Sequence, residues 1–326
     1  MTTFLGAALV VLSVVAPRQQ QQPADQRAIA VQVALDRAGF SVGVIDGRIG
    51  ANTRRATEAY RAQNGRDPEP HAEPLTQYEI TQADVAGPFV GPIPKDLMAQ
   101  SKLPSLGYQS VDEALAERFH TTPEVLRRLN PDATFAAGDA IMVPNVDPLV
   151  LPQSTHTNSV GQRNQSPRPE GTTGRGAAGR ATGQQGAAQN NTVVKISRSS
   201  SSLTATDSGG RIVLFAPVTT GSEHDPLPIG EWKVNVVQYN PPFRYNPDLF
   251  WDADPSHSKA TIPPGPNGPV GVVWIDISKE HYGLHGTPEP SQIGRTQSHG
   301  CVRLTNWDAL RLAALVGPGT KVIFTE

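Results

Sequence analysis

The sequence predicts a multidomain α+β protein: a small helical N-terminal domain, a linker, and a C-terminal mainly-β domain of β-sandwich-like build. Three observations lead there. Apolar residues recur at helical spacing between positions 26 and 65, and again between 110 and 129. Residues 152–191 are dominated by Gln, Gly, Ser, Thr, Ala and Arg, without periodicity and without an aromatic side chain. From Thr192 onward, short β-rich runs alternate with Pro and Gly clusters.

At 326 residues the chain has room for two or three domains. A net charge of −2 and a pI near 6.5 give no global basic field for nucleic acid and no polybasic patch for an acidic membrane. Thirty prolines and thirty glycines favour turns and short strands over long helices. A single cysteine, Cys301, forbids an intramolecular disulfide.

The elements follow in order. Phe4 to Ala16 is an uncharged apolar run, too short to span a bilayer core of about 30 Å, and it reads as the apolar part of a secretory signal. Residues 1–24 are therefore expected to be a signal peptide and linker, and the protein is expected to be exported to the periplasm or cell envelope. Ile29, Val33 and Leu35 lie in a helical stretch that Gly39 ends. Asp46-Gly47 suits a turn, because Asp can bond its own backbone and Gly accepts a positive φ. Asn52 or Thr53 is then placed to cap a second helix carrying Ala56, Ala59 and Tyr60. Residues 25–66, through VQVALDRAGF, VGVIDGRIG and NTRRATEAYRAQNG, resemble a small peptidoglycan-binding domain.

Pro68, Pro70 and Pro74 mark a linker. In residues 105–147, Val111, Leu115, Phe119, Val125 and Leu129 fit two short helices with Ser110 and Thr122 as N-caps, and AAGDAIMVPNV reads as a strand. This order resembles a LysM-like module; a plain helical spacer is the alternative. Residues 152–191 read as a flexible linker, which implies that the part after it is self-contained and does not rely on the modules before it. In residues 192–326, strands are expected at Val193–Ile196, Arg211–Phe215, Trp232–Val237, Val270–Ile277 and Lys321–Phe324. A helix is expected from Asn306 to Val316, with Trp307, Leu310, Ala314 and Leu315 at its spacing.

The chemistry gathers at Ser298-His299-Gly300-Cys301-Val302-Arg303. A thiolate is the nucleophilic form of cysteine, and acyl transfer further needs a base within reach and N–H donors for the oxyanion. Gly300 lets backbone amides approach a carbonyl without a Cβ in the way, so the N–H groups of Gly300 and Cys301 are candidate donors. His299 lies two residues from the sulfur and points parallel to it in an extended chain. His285 comes from a separate segment and can be aimed at the sulfur. A rival reading takes His281, His285, His299 and Cys301 as a zinc set. His224 and His257 read as solvated surface residues. Trp232, Trp251 and Trp274 read as core or cleft packing.

LHGTPEPSQIGRTQSHGCVRLTNWDAL resembles the signature of the L,D-transpeptidase (YkuD-type) catalytic domain, and the resemblance covers roughly Thr192 to Glu326. It implies a transferase of peptidoglycan biosynthesis with Cys301 as nucleophile and His285 as proton donor and acceptor. It also implies that Ser298 and His299 line the site, that Gly300 serves the oxyanion, and that Arg303 and Gly286 meet substrate. Gly286 has no side chain to orient His285, so a backbone carbonyl is expected to do so. No cofactor and no metal are implied. The implied partners are peptidoglycan stem peptides, a lipoprotein as a further acceptor, and carbapenem β-lactams as inhibitors; nucleic acid is not among them. An L,D-carboxypeptidase on the same scaffold, and a non-catalytic wall-binding protein, are the alternatives. The loop from His285 to Ser298, with Pro288, Pro290 and Ile293, is expected to wall the cleft.

Overall fold

A computed structural model describes residues 23–151 and 192–326. The apolar run at 4–16 and the segment 152–191 lie outside the described residues, and so do the signal-peptide and flexible-linker readings.

The first helix, α1 (Pro23–Arg37), buries Ile29, Val33 and Leu35 and stops at Gly39, whose φ is +83°. Helix α2 (Ala51–Asn64) starts after Gly50, which makes no side-chain cap bond. The caps expected of Asn52 and Thr53 are therefore not formed. Thr53 is buried and accepts from Gln32 Nε2, whereas Asn52 reaches out to the C-terminal domain. The Asp46-Gly47 turn is clamped by the same glutamine: Gln32 Oε1 accepts from both N–H groups, and Gln32 Nε2 donates to Asp46 Oδ1.

Strand β1 (Leu75–Glu79) lies where the prolines suggested only a linker, and it pairs antiparallel with β2 (Ala140–Pro144). Between them come α3 (Gln82–Val85), α4 (Leu97–Gln100), α5 (Val111–Arg118) and α6 (Pro123–Leu129). Ser110 and Thr122 cap α5 and α6 as expected, each accepting from the backbone N–H three residues on. Ile29, Val33 and Phe40 pack with Leu115, Phe119, Leu126 and Ile141 in one hydrophobic core. The peptidoglycan-binding-like and LysM-like segments thus share a core.

The C-terminal part holds β3 (Val193–Ser197), β4 (Ser202–Thr206), β5 (Ile212–Pro217), β6 (Gly230–Tyr239), β7 (Phe243–Tyr245), β8 (Ala260–Ile262), β9 (Val273–Ile277), β10 (Gly283–His285), β11 (Val302–Arg303), α7 (Asn306–Leu315) and β12 (Lys321–Thr325). Eight strands form one sheet in the order β11-β10-β9-β6-β12-β3-β4-β5. The sheet curls: Thr219, just past β5, exchanges both backbone hydrogen bonds with Arg303 of β11, 3.0 and 2.9 Å long. Val194, Ile196, Leu203, Val273, Ile275, Leu284, Val302 and Phe324 fill its concave core, onto which α7 packs Leu312 and Ala313.

The N-terminal part is docked on this sheet. Phe215 of β5 exchanges backbone bonds with Gly39 and Ser41, 2.8 Å each, and its ring joins the N-terminal core. Arg311 of α7 pairs with Asp36, and Ser41 Oγ donates to Asp308. The picture of self-contained units joined only by a tether does not hold, because residues about 270 positions apart share buried polar contacts.

Candidate active site

Face alternation in the sheet assembles the site. β10 runs parallel to β11 with Leu284 opposite Val302 and His285 opposite Arg303. Leu284 and Val302 face the core. Successive side chains of a strand point to opposite faces, so His285, Arg303 and, one residue before β11, Cys301 share the other face. All three line an open cleft of about 1450 Å³. His285 and Cys301, from separate segments, thus share one face and one cleft, whereas His299 is turned to Asp252 on the rim of that cleft.

His285 is 4% exposed, and its Nδ1 lies 2.7 Å from Gly286 O. A carbonyl only accepts, so Nδ1 carries the proton and Nε2 is left as the basic nitrogen. The backbone-carbonyl orienter expected from the sequence is there. Gly286 has a second reason to lack a side chain: a Cβ would sit 2.1 Å from Asn306 Oδ1. Trp274 of β9 lies opposite His285 in register and stacks on its ring at 5.5 Å and 23°. Trp274 alternates with Val273 and Ile275, so the period-2 pattern of VWIDI could have marked it as cleft-facing.

The Cys301 thiol donates to His281 O at 3.7 Å. Burial pushes it up to about 11, against an opposing hydrogen bond from the Gly283 backbone and the charge of Arg303. Burial also pushes His285 down to about 3, helped by Arg303 and opposed by the Gly286 bond. The resting pair is therefore a neutral thiol and a neutral imidazole. Arg303 favours thiolate, as its position suggested, but desolvation outweighs it.

Gly300 has φ +99°, a region that side chains rarely adopt, and a Cβ there would lie 2.6 Å from the Tyr282 ring. Ser298 Oγ donates to Cys301 O at 2.5 Å, and Ser298 N donates to Thr220 O, so the turn before the cysteine is tied to the sheet. His299 lines the cleft but bonds Asp252 at 2.8 Å and meets the Phe250 ring edge-on. Among the described residues, no group of three His, Cys, Asp or Glu side chains converges as a metal site.

The far wall of the cleft comes from the excursion around β7 and β8, which sequence reading missed. Phe243, Tyr245 and Phe250 cluster there with Leu97 and Met98 of α4. His257 is not solvated as expected: its side chain is 14% exposed and bonds Tyr245 Oη at 3.0 Å and Asp96 at 2.8 Å. His224 stacks on Trp251, which is 60% exposed rather than packed in a core. The loop after His285 contributes Thr287, Pro288 and Glu289 to the cleft. Its Ile293 is buried, and Asn52 Nδ2 of α2 donates to Ile293 O at 3.0 Å.

Comparisons with known proteins concern this same domain. Residues 191–324 match the YkuD family model, described as the L,D-transpeptidase catalytic domain. The YkuD protein of Bacillus licheniformis is 52% identical over 62 residues, 19% of this chain and 38% of that protein. The YbiS protein of Escherichia coli K12 is 31% identical over 122 residues, 36% of this chain and 39% of that one. Both bear names that describe L,D-transpeptidases, and the chain spans well under half of their lengths. An L,D-transpeptidase from Mycobacterium smegmatis covers 42% of this chain, and 59% of that chain is matched, at 18% identity and a TM-score of 0.35. The described C-terminal strands, the cysteine turn and the family match lie in one stretch of sequence, and it is this stretch that matches the L,D-transpeptidase catalytic domain of the YkuD type.

Proposed function

We propose that this protein is a cysteine-dependent L,D-transpeptidase acting on peptidoglycan stem peptides. The observation that carries the reading is the pairing of β10 with β11, which puts His285, with Nδ1 tied to Gly286 O, on the same face as Cys301. His285 Nε2 takes the thiol proton as Sγ bonds the carbonyl carbon of the diamino acid at position three of a donor stem. The oxyanion forms against the N–H groups of Gly300 and Cys301. The bond to the terminal D-residue breaks, and the proton on His285 passes to the leaving amine. An acceptor amine then attacks the thioester, and the sulfur leaves and regains a proton. Because the resting pair is neutral, proton transfer accompanies attack rather than preceding it.

Arg303 faces the same cleft and suits a carboxylate of the stem. Ser298 and His299 shape the turn and the rim beside the sulfur. The acceptor is a second stem or a lipoprotein. Carbapenem β-lactams acylate the same thiol. Residues 25–66 bring the enzyme to the wall, and export to the periplasm or cell envelope fits the apolar run near residue 10.

Intact mass spectrometry with a tetrapeptide donor, with and without an amine acceptor, tests this reading. A Cys301 thioester and an exchanged or cross-linked product are expected. Tripeptide dominating even with abundant acceptor would make the protein an L,D-carboxypeptidase. No covalent intermediate at all would leave a wall-binding protein without catalysis.

A further inference from the structure

Asn306 opens helix α7, is 1% exposed, and stands directly behind the turn that carries the catalytic histidine. Its Oδ1 accepts from Val272 N at 3.2 Å and fills a hollow left by Gly271 and Gly286. A Cβ on either glycine would come within 2.0 or 2.1 Å of that oxygen. The Asn306 amide therefore packs directly against Gly286, the residue whose carbonyl holds His285 Nδ1. The orientation of the amide is set from the other half of the chain. Asn306 Nδ2 donates to Glu117 Oε1 at 3.0 Å and to Pro266 O at 3.1 Å. Glu117 belongs to α5, and its Oε1 also accepts from Tyr108 Oη at 2.9 Å. One helix turn earlier, Glu113 Oε1 accepts from Asn267 Nδ2 at 2.8 Å, and Asn267 also donates to Gly107 O at 2.9 Å.

We infer that Glu117 is a positioning residue for His285: the N-terminal half reaches through Glu117 and Asn306 to hold the Gly286 carbonyl, so that it completes the catalytic turn rather than serving only as a wall anchor. The chain of contacts is short and its polarity is consistent. Glu117 Oε1 accepts from both Tyr108 Oη and Asn306 Nδ2, so the end of the Asn306 amide that faces it is the nitrogen. With the nitrogen held on Glu117, the oxygen must face Val272 and the two glycines. Without Glu117, the amide keeps only Pro266 O and Val272 N as partners, and the support behind the Gly286 peptide loosens. An imidazole freed to turn no longer presents Nε2 to the thiol. Supports of this kind are typically worth about 10–100-fold in activity.

The inference rests on the proton-transfer role proposed for His285, and the test separates the two. Full-length wild type, Glu117→Ala and Glu117→Gln are compared in two measurements. The first is the rate of Cys301 acylation by imipenem, read by intact mass. The second is amide hydrogen exchange over residues 283–287, which reports on the turn whatever chemistry Cys301 performs. Wild type that is never acylated counts against the transpeptidase reading, and the exchange data still decide the inference. Glu117→Ala should speed exchange in the turn and slow acylation by about tenfold or more, with KM for a tetrapeptide donor held within about twofold. Glu117→Gln retains a carbonyl acceptor for Asn306 and should recover most of both. Unchanged exchange in Glu117→Ala, or equal losses in Ala and Gln, would overturn the inference. Should Glu117→Ala fail to fold, Asn306→Asp replaces it. That variant keeps an oxygen for Val272 N but sets a carboxylate against Glu117, and it should show the same two losses; wild-type behaviour there overturns the inference equally.

Discussion

Arg311 and Asp36 form a two-pronged ion pair, Nη1 to Oδ2 at 3.0 Å and Nη2 to Oδ1 at 2.7 Å, across 275 positions of sequence. The Asp36 side chain is fully buried, and His120 Nδ1 lies 3.2 Å from it on the other side. Burial alone would raise its pKa; His120 and Arg311 outweigh that and hold the carboxyl well below the usual carboxylate range. This pair fastens α1 to α7, and so fastens the N-terminal half to the helix that begins with Asn306.

Arg311→Ala should therefore destabilise the protein by about 3 kcal/mol, because it leaves a buried carboxylate with His120 as its remaining charged neighbour. Urea unfolding at pH 7 measures it. Asp36 has a lowered pKa, so its contribution is present above its unfolded value of 3.8 and is lost as pH falls through the folded value. In wild type the loss should begin below about pH 4, and Arg311→Ala should flatten it.

Cys301→Ala should abolish every adduct and leave the unfolding curve close to wild type. With the thiol pushed up to about 11, alkylation of wild-type Cys301 by iodoacetamide should climb about tenfold per pH unit between 7 and 9 rather than level off. A plateau near neutrality would show a preformed thiolate. His285→Ala should slow acylation by a tetrapeptide most at pH 7, with the deficit shrinking as pH rises and the thiol ionises unaided.

Gly286→Ala should cost about 1–3 kcal/mol and most of the activity, since the new methyl meets Asn306 Oδ1 at 2.1 Å. Thermal unfolding and acylation rate, read together, check it. Gly209→Ala, at an exposed turn where a Cβ meets nothing closer than 3.3 Å, serves as the control.

Deleting residues 1–151 should lower the unfolding temperature and slow acylation, because Phe215, Asp308, Arg311 and Asn306 all lose partners. A truncated protein as stable and as fast as the full chain would restore the picture of a tethered, independent core.

Burial raises the Glu117 carboxyl to about 7, against the hydrogen bonds from Asn306 and Tyr108. A raised acid pKa means that stability is greatest below the unfolded value of 4.5 and declines as pH rises toward 7. Glu117→Gln should remove that part of the decline; an unaltered slope from chemical unfolding between pH 4.5 and 7 would contradict it.

Local backbone geometry was readable from the sequence, and long-range contacts were not. Cys301, the glycine before it and the side-chain-free position after His285 each declare a backbone requirement within a few residues. The strands around them announce themselves by alternation, which also marks Trp274. The caps at Ser110 and Thr122 were legible because a cap is a contact over three residues. The cap expected at Asn52 failed because the helix opens at Ala51 with Gly50 in the cap position, which leaves Asn52 inside it and free to donate to Ile293 O, 241 positions away. Glu117 and Asn306, or Asp36 and Arg311, leave no periodic trace: each reads alone as an ordinary polar residue on a helix. Strand β1 was hidden for a related reason. LTQYE is half exposed, follows three prolines, and acquires its meaning from β2, more than sixty residues later.

The place of β12 bears on the order in which the molecule is made. It runs between β6 and β3, parallel to the latter, with Phe324 in the core. A strand synthesised after all the other described strands is thus the one that joins the two halves of the sheet. Until residues 321–325 have emerged, β3-β4-β5 and β6-β9-β10-β11 share no strand between them, and the Thr219–Arg303 bridge has to close the sheet from the other side without it. The nascent chain would expose Val194, Ile196 and Val234 throughout that interval, so its newborn catalytic half is a natural client for a holding chaperone.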